Sequence, residues 1–300
     1  MIAPMSTSTA WTAKASDRLG RIGVWSGELR FAEPAASQEA AAELDALGYG
    51  AIWVPGGIGG DLFGDMDRLL AATRRTTIAA GILNIWKHKP AETSAWRRGL
   101  TGEQQARVML GLGVSHARVI GADYQKPLAA MRAYLDGLDA LGVPAEARCL
   151  AALGPKMLDL ARDRSAGAHP YLVPPEHTAL ARARLGPDAL LAPELGVILE
   201  TDPGKAREIA RQAVTTYRAL ANYVSNWRRL GFDDDDIAGP SDRLCDSLFA
   251  WGPMDRIVQR VNDHLAAGAN HVCLQVLRGP AGADNSLPRE AWRELAAALL

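Results

Sequence analysis

Two glycine turns and a set of tryptophans are the residues of this chain whose types and spacing suit chemistry. One turn reads Gly111-Leu-Gly113-Val114-Ser115-His116. The other reads Ala151-Ala152-Leu153-Gly154-Pro155-Lys156 and runs straight into a helical pattern. Backbone N–H groups at a helix start, at the positive end of its dipole, hold phosphate, and Lys156 adds a cation. A glycine between strand and helix also serves as a plain tight turn. Neither turn matches a dinucleotide-binding or Walker fingerprint, and no serine elbow is present. Trp25, Trp53 and Trp86 fall at or near the ends of three apolar runs. As a set they suit the wall of a planar aromatic ligand; singly, each suits a core.

The six histidines, at 88, 116, 169, 177, 264 and 271, show no metal-ligand spacing. His116 follows an apolar run and is placed to face a site. His169 sits within such a run and reads as a core histidine. His177 falls in a first helical turn, where exposure is expected, and His264 and His271 read as structural or exposed. Asp233–Asp236 reads as a solvated acidic run rather than a metal site. Gly56–Gly64, with five glycines, reads as a lid loop or an unstructured connection.

The elements that must position these residues are short apolar runs alternating with amphipathic stretches. The runs are Ile22–Trp25, Ala51–Val54, Thr77–Leu83, Val108–Leu112, Cys149–Leu153, Gly167–Val173, Gly196–Leu199 and Val272–Val276. Their near-continuous apolar character is that of parallel strands buried on both faces. Helices are expected over Ser37–Ala46 with Ser37 as cap, Lys126–Leu141, Pro155–Arg162, Glu176–Leu185 behind Pro175, Pro203–Val224, Met254–Ala267 and Leu287–Leu300. Eight βα units favour an α/β TIM (β/α)8 barrel in one domain, 18–300; a doubly wound open sheet is the other arrangement they fit. The stretch Asn222–Trp251 exceeds what the connection between strands 7 and 8 needs and reads as an insertion near the mouth. Residues 1–17 read as a loose tail.

Composition narrows the class of partner. Thirty-three basic residues balance 34 acidic ones, which gives no reason to expect nucleic acid or an anionic membrane. No apolar run approaches a membrane span. The three cysteines are odd in number and far apart, as in a protein of the reduced cytoplasm.

The run ends resemble the bacterial luciferase-like monooxygenase superfamily, in particular its deazaflavin (coenzyme F420)-dependent oxidoreductases of actinobacteria. The resemblance is carried in order by Ile22-Gly-Val-Trp25, Ile52-Trp-Val-Pro55, Ala80-Gly-Ile-Leu-Asn84, Leu110-Gly-Leu-Gly-Val-Ser-His116, Leu150-Ala-Ala-Leu-Gly-Pro-Lys-Met157, Ala168-His-Pro-Tyr-Leu-Val173 with Pro175-Glu-His177, and Leu287-Pro-Arg-Glu-Ala-Trp292. It implies a TIM barrel with a non-proline cis peptide at Gly81–Ile82 that backs the ring. It implies a cofactor phosphate beside Gly113, Val114 and Ser115 and at the helix start Gly154, Pro155, Lys156 and Met157, with Ala152, Leu153 and Trp25 nearby. The implied function is hydride transfer between coenzyme F420 and a small organic substrate. FMN in a two-component monooxygenase, and cofactor binding without turnover, are the alternatives. A homodimer is expected by analogy. The chain departs from sugar-phosphate and alcohol dehydrogenases of the family at the end of strand two, where Gly56-Gly57 replaces their Asp-His pair. His116 and then Tyr171 are the remaining candidates for proton transfer, and Asn84 for a hydrogen bond to ring or substrate.

Overall fold

The computed structural model of the chain describes residues 14–57, 59–279 and 286–300. Eleven parallel strands form one sheet: β1 (Ile22–Trp25), β2 (Ala51–Val54), β3 (Thr77–Ala80), β4 (Leu83–Asn84), β5 (Val108–Gly113), β6 (Arg148–Leu150), β7 (Gly167–Ala168), β8 (Leu190–Leu191), β9 (Glu194–Ile198), β10 (Phe249–Trp251) and β11 (Val272–Val276). Their order is β10-β9-β11-β1-β2-β3-β5-β6-β7-β8, with β4 beside β5. β8 and β9 are two halves of one line, parted by Ala192-Pro193. On one flank Ala192 N–H donates to Ala168 O and Glu194 N–H to Pro170 O. On the other, Asn270 N–H donates to Leu191 O and Cys273 N–H to Pro193 O. The sheet therefore closes on itself, and the fold is the TIM barrel.

Seven of the eight expected runs coincide with single barrel positions, and the eighth is longer than expected. The run Gly196–Leu199 is the far end of a strand line that begins at Leu190. β10 was not anticipated; it pairs along the free flank of β9, Phe249 opposite Gly196. Between β9 and β11 lie helices Ala221–Arg229, Asp234–Ala238 and Asp242–Leu248 within the expected insertion. They share a separate core of Trp227, Phe232, Leu244, Phe249 and Trp251. The barrel interior is filled by Ala51, Trp53, Ala79, Met109, Cys149, Ala192 and Cys273.

Several local expectations are corrected. Helix Pro34–Leu47 is capped by Glu33, whose carboxylate accepts from Ala35 and Ala36 N–H, while Ser37 lies buried inside it and donates to Leu29 O. The expected helix 203–224 breaks after Tyr217 and resumes at Ala221. No glycine or proline causes the break. It lets Tyr217 and Tyr223 meet edge to face at 4.9 Å, so packing overrides local propensity. Residues 1–13 of the expected tail lie outside the described residues, and Ala15–Leu19 is a helix with Leu19 in the interior cluster. The glycine loop after β2 is tethered: the buried Arg30 donates to Pro55 O, to Gly59 O at 2.8 Å and to Asp65 at 2.7 Å. Ile58 lies outside the described residues. His177 is buried, against expectation, with Nε2 3.0 Å from Leu153 O. His264 meets the Thr178 hydroxyl. Asp233 caps the helix that follows it, and Asp236 accepts from Ser241 and Arg243, so the acidic run is structural.

Two stability predictions follow from buried groups. Replacing Arg30 with Met removes one of the two guanidinium partners of Asp65, Arg68 being the other, and strands two carbonyls; it should cost roughly 3 kcal/mol in urea unfolding. His169 and His271 are held neutral by burial, with proton affinities lowered to about 4, and His264 to about 3. As the pH falls below the 6.5 of an ordinary histidine, the unfolded chain takes up protons that the native state refuses. The thermal midpoint should therefore drop between pH 6.5 and 4, and Gln at 271 should flatten that slope.

Candidate functional site at the barrel mouth

The peptide between Gly81 and Ile82 is cis, as the resemblance implies. Three neighbouring strands approach it closely. Trp25 at the end of β1 donates its indole N–H to Gly81 O at 3.0 Å, and a Cβ on Gly81 would lie 2.6 Å from that nitrogen. Gly56 after β2 donates its N–H to Ile82 O at 3.1 Å, and a Cβ there would sit 2.7 Å from the same oxygen. Gly113 at the end of β5 lies against the Ile82 side chain, 2.4 Å from where its own Cβ would be. A side chain at any of the three would displace this shelf.

The three tryptophans do not form one wall. Trp25 stands at the mouth, its ring 5.7 Å from Tyr171. Trp53 is core: it stacks on His169 at 4.2 Å and donates to His271 Nε2 at 3.1 Å. Trp86 lies in the loop after β4 and donates to Val114 O.

The proposed proton-handling residues are joined by aromatic contacts. The His116 ring faces Tyr223 at 5.8 Å, and Tyr223 in turn faces Tyr171 at 6.3 Å. Burial lowers the proton affinity of His116, and a hydrogen bond with Asn222 partly offsets this. Tyr171 donates its hydroxyl hydrogen to Gln275 Oε1 at 2.7 Å and accepts from Tyr217 at 3.1 Å. Its proton is thus already committed. Asn84 is buried; its Oδ1 accepts from Trp86 N–H while Nδ2 has no partner among the described residues. His169 places Nδ1 2.6 Å from Ala192 O, which makes Nδ1 the protonated nitrogen. Its Nε2 has no partner and lies toward Gly81.

A second group of expected residues gathers beside β5 and β6. Ala151 N–H donates to Leu112 O, which sets the loop Ala152–Leu153 against Val114–Ser115. Ser115 adopts φ +52°, the left-handed region that a serine rarely occupies. Helix Pro155–Arg164 starts at Gly154 with no side-chain cap, Met157 N–H donating to Gly154 O. Lys156 is exposed at this start. Arg229 brings its guanidinium to 3.7 Å from where a Gly154 Cβ would be. The cluster suits an anion.

Sequence reasoning missed Arg229, Gln275, Tyr217, Tyr223 and Glu194. Glu194 was legible as a lone acid inside the apolar stretch Leu190–Leu199. It is fully buried; Oε2 accepts from Leu172 N–H at 3.1 Å and Oε1 has no partner. Burial pushes its carboxyl up to about 8. Leu172 itself adopts φ +53° to present that N–H. One open surface hollow is lined by Arg228, Asp233, Asp234 and Asp235, away from the strand ends. Among the described residues no group of His, Cys, Asp or Glu is arranged to hold a metal, and no helix is long and apolar enough to cross a membrane.

No family model matches the chain, and no curated protein does. Solved structures share its fold over nearly the whole length. An F420-dependent secondary alcohol dehydrogenase, in complex with an F420-acetone adduct, superposes with a TM-score of 0.68 at 13% identity, covering 94% of this chain and 99% of that one. The coenzyme F420-dependent tetrahydromethanopterin reductase of Methanopyrus kandleri gives 0.67 at 16%, covering 93% and 98%. The oxygenating constituent of 3,6-diketocamphane monooxygenase from Pseudomonas putida, a type II Baeyer-Villiger monooxygenase in complex with FMN, gives 0.65 at 11%, covering 94% and 99%.

All six tyrosines, three of them in the mouth cluster, are shifted upward, and burial is the first cause in each. The native protein should therefore show little tyrosinate absorbance at pH 10, where tyrosines of the unfolded chain are half ionised. A titration in buffer and in guanidinium checks this.

Proposed function

We propose that this barrel is an oxidoreductase of the luciferase-like superfamily that passes hydride between coenzyme F420 and a small organic molecule at the C-terminal mouth. The observation that carries the reading is the Gly81–Ile82 backbone ringed by Trp25, Gly56 and Gly113 at the ends of three separate strands. A flat ring fits a shelf of backbone from which side chains are excluded. The orphaned Asn84 Nδ2 and His169 Nε2 beside it are the sort of buried polar atoms that a ligand satisfies. The phosphate belongs at Ser115, Gly154 and Lys156, with Ala152, Leu153, Pro155 and Met157 shaping the loop and Arg229 adding the charge that the sequence did not disclose.

When bound, a deazaflavin supplies hydride without activating oxygen. The chain's own residues do the rest. Trp25 and Tyr171 border the ring and shed water from it. His116, half-buried and with its proton affinity lowered by desolvation, offers a lone pair for a substrate proton. Gly56 bears on specificity, because Ile82 O and Leu62 leave no room for a side chain at the first position of the acid–base pair found in the family's sugar-phosphate and alcohol dehydrogenases, while Gly57 at the second faces open space. This argues for a substrate of another class. FMN shares the ring and the ribityl phosphate and is the competing occupant, consistent with the FMN complex among structures of the same fold.

Fluorescence titration with oxidised coenzyme F420, and separately with FMN, tests the proposal. Micromolar or tighter binding of the deazaflavin in preference to FMN is expected, and Arg229→Ala should weaken it roughly tenfold, the worth of one charge-assisted contact. Binding of neither ring at micromolar concentration overturns the assignment.

A further inference from the structure

We infer that Glu194 is the internal acid of this site, neutral in the resting protein and poised to give its proton to the substrate. The inference rests on the functional reading above in that a substrate occupies the mouth. Glu194 follows Ala192 by two residues on one strand line and pairs with Cys273 of β11; both neighbours belong to the barrel interior. By the period of two, its side chain points inward as theirs do. It lies close enough to Tyr171, Tyr217, Tyr223 and Cys273 to act on their ionisation. It is thus in the interior beneath the tyrosine cluster that borders the mouth.

Its hydrogen bonding identifies where the proton sits. Oε2 accepts an N–H from Leu172, so it plays the carbonyl part of a neutral acid. Oε1, buried and without a partner, is left as the hydroxyl. The groups around it are three phenols, a buried thiol and a backbone amide. None of them supplies the positive charge that a buried carboxylate requires. The other proton-bearing candidates are less apt. Tyr171 has given its hydrogen to Gln275 and Tyr217 has given its own to Tyr171. Tyr223 is a far weaker acid, and desolvation disfavours the proton on His116. Two titratable groups pushed apart in this way divide the roles of acid and base.

In the step this implies, a bound reduced deazaflavin would supply the hydride pair to an electrophilic carbon of a C=O or C=N substrate. The π pair of that bond moves to the heteroatom and takes the Glu194 proton. The O–H bond of the carboxyl breaks, its electron pair stays on the carboxylate, and water reprotonates it after product leaves.

Glu194→Gln is the decisive variant, because the amide oxygen still accepts from Leu172 N–H. Three measurements are made on the variant and the parent. Infrared difference titration of the protein alone should show a protonated-carboxyl stretch at pH 7 that fades above pH 8 and is missing from E194Q. Coenzyme F420 should bind both proteins alike by fluorescence. Reduced coenzyme F420 offered with a panel of ketones and imines should be oxidised by the parent with a rate that falls above pH 8. In E194Q the rate should be roughly 100-fold lower and flat with pH. Between pH 6.5 and 8, above the range in which the buried histidines act, the thermal midpoint of the parent should fall relative to that of E194Q, since the unfolded chain has given up this proton and the native protein keeps it. A carboxyl ionised at pH 7, or parental turnover in E194Q, overturns the role of Glu194 and leaves the functional reading standing. Failure of the parent to bind the coenzyme overturns both.

Discussion

The crowding of backbone around the Gly81–Ile82 peptide is the constraint from which the rest of the mouth follows. Ile82 O must meet Gly56 N–H, the Ile82 side chain must lie against Gly113, and Gly81 O must receive the Trp25 indole. Each demand fixes one strand end to the next. β4 then pairs with the end of β5, Asn84 opposite Gly113, and carries Trp86 to Val114 O. The loop bearing Ser115 is thereby set beside the loop bearing Gly154. The two-part site proposed above, a flat shelf and a cationic helix start, follows from that placement.

The electrostatics divide along the same line. Inside the barrel every titratable group is driven toward its neutral form by burial: the histidines downward, the phenols, Cys273 and Glu194 upward. Charge is kept at the rim, on Lys156 and Arg229. That pattern suits a ligand with a neutral ring system and an anionic tail. It also explains why proton donors and acceptors in the interior are few and separable.

The sequence disclosed the barrel because strand character here is a matter of continuous apolar runs, which β1 and β2 show from end to end. It disclosed the turns at Gly113 and Gly154 because glycine and proline are local signals, and the Gly81–Ile82 peptide through the resemblance to the family. It did not disclose what depends on distant packing. The break between Tyr217 and Ala221 has no local cause, and Arg229 reaches Gly154 from 75 residues away only because the insertion folds back over the mouth. β10 was hidden because three apolar residues beside a helix carry no strand signature. Histidine exposure at 177 was misjudged because a first-turn position says nothing of which neighbour covers it. Glu194 was passed over when the strand was begun two residues too late.

A crystal structure of the protein with coenzyme F420 bound tests the central claim most directly. The account predicts the tricyclic ring against the Gly81–Ile82 peptide with its phosphate between Ser115 and the Gly154–Lys156 turn. A ring bound elsewhere, with Trp25 and Tyr171 filling the space over that peptide, would contradict it.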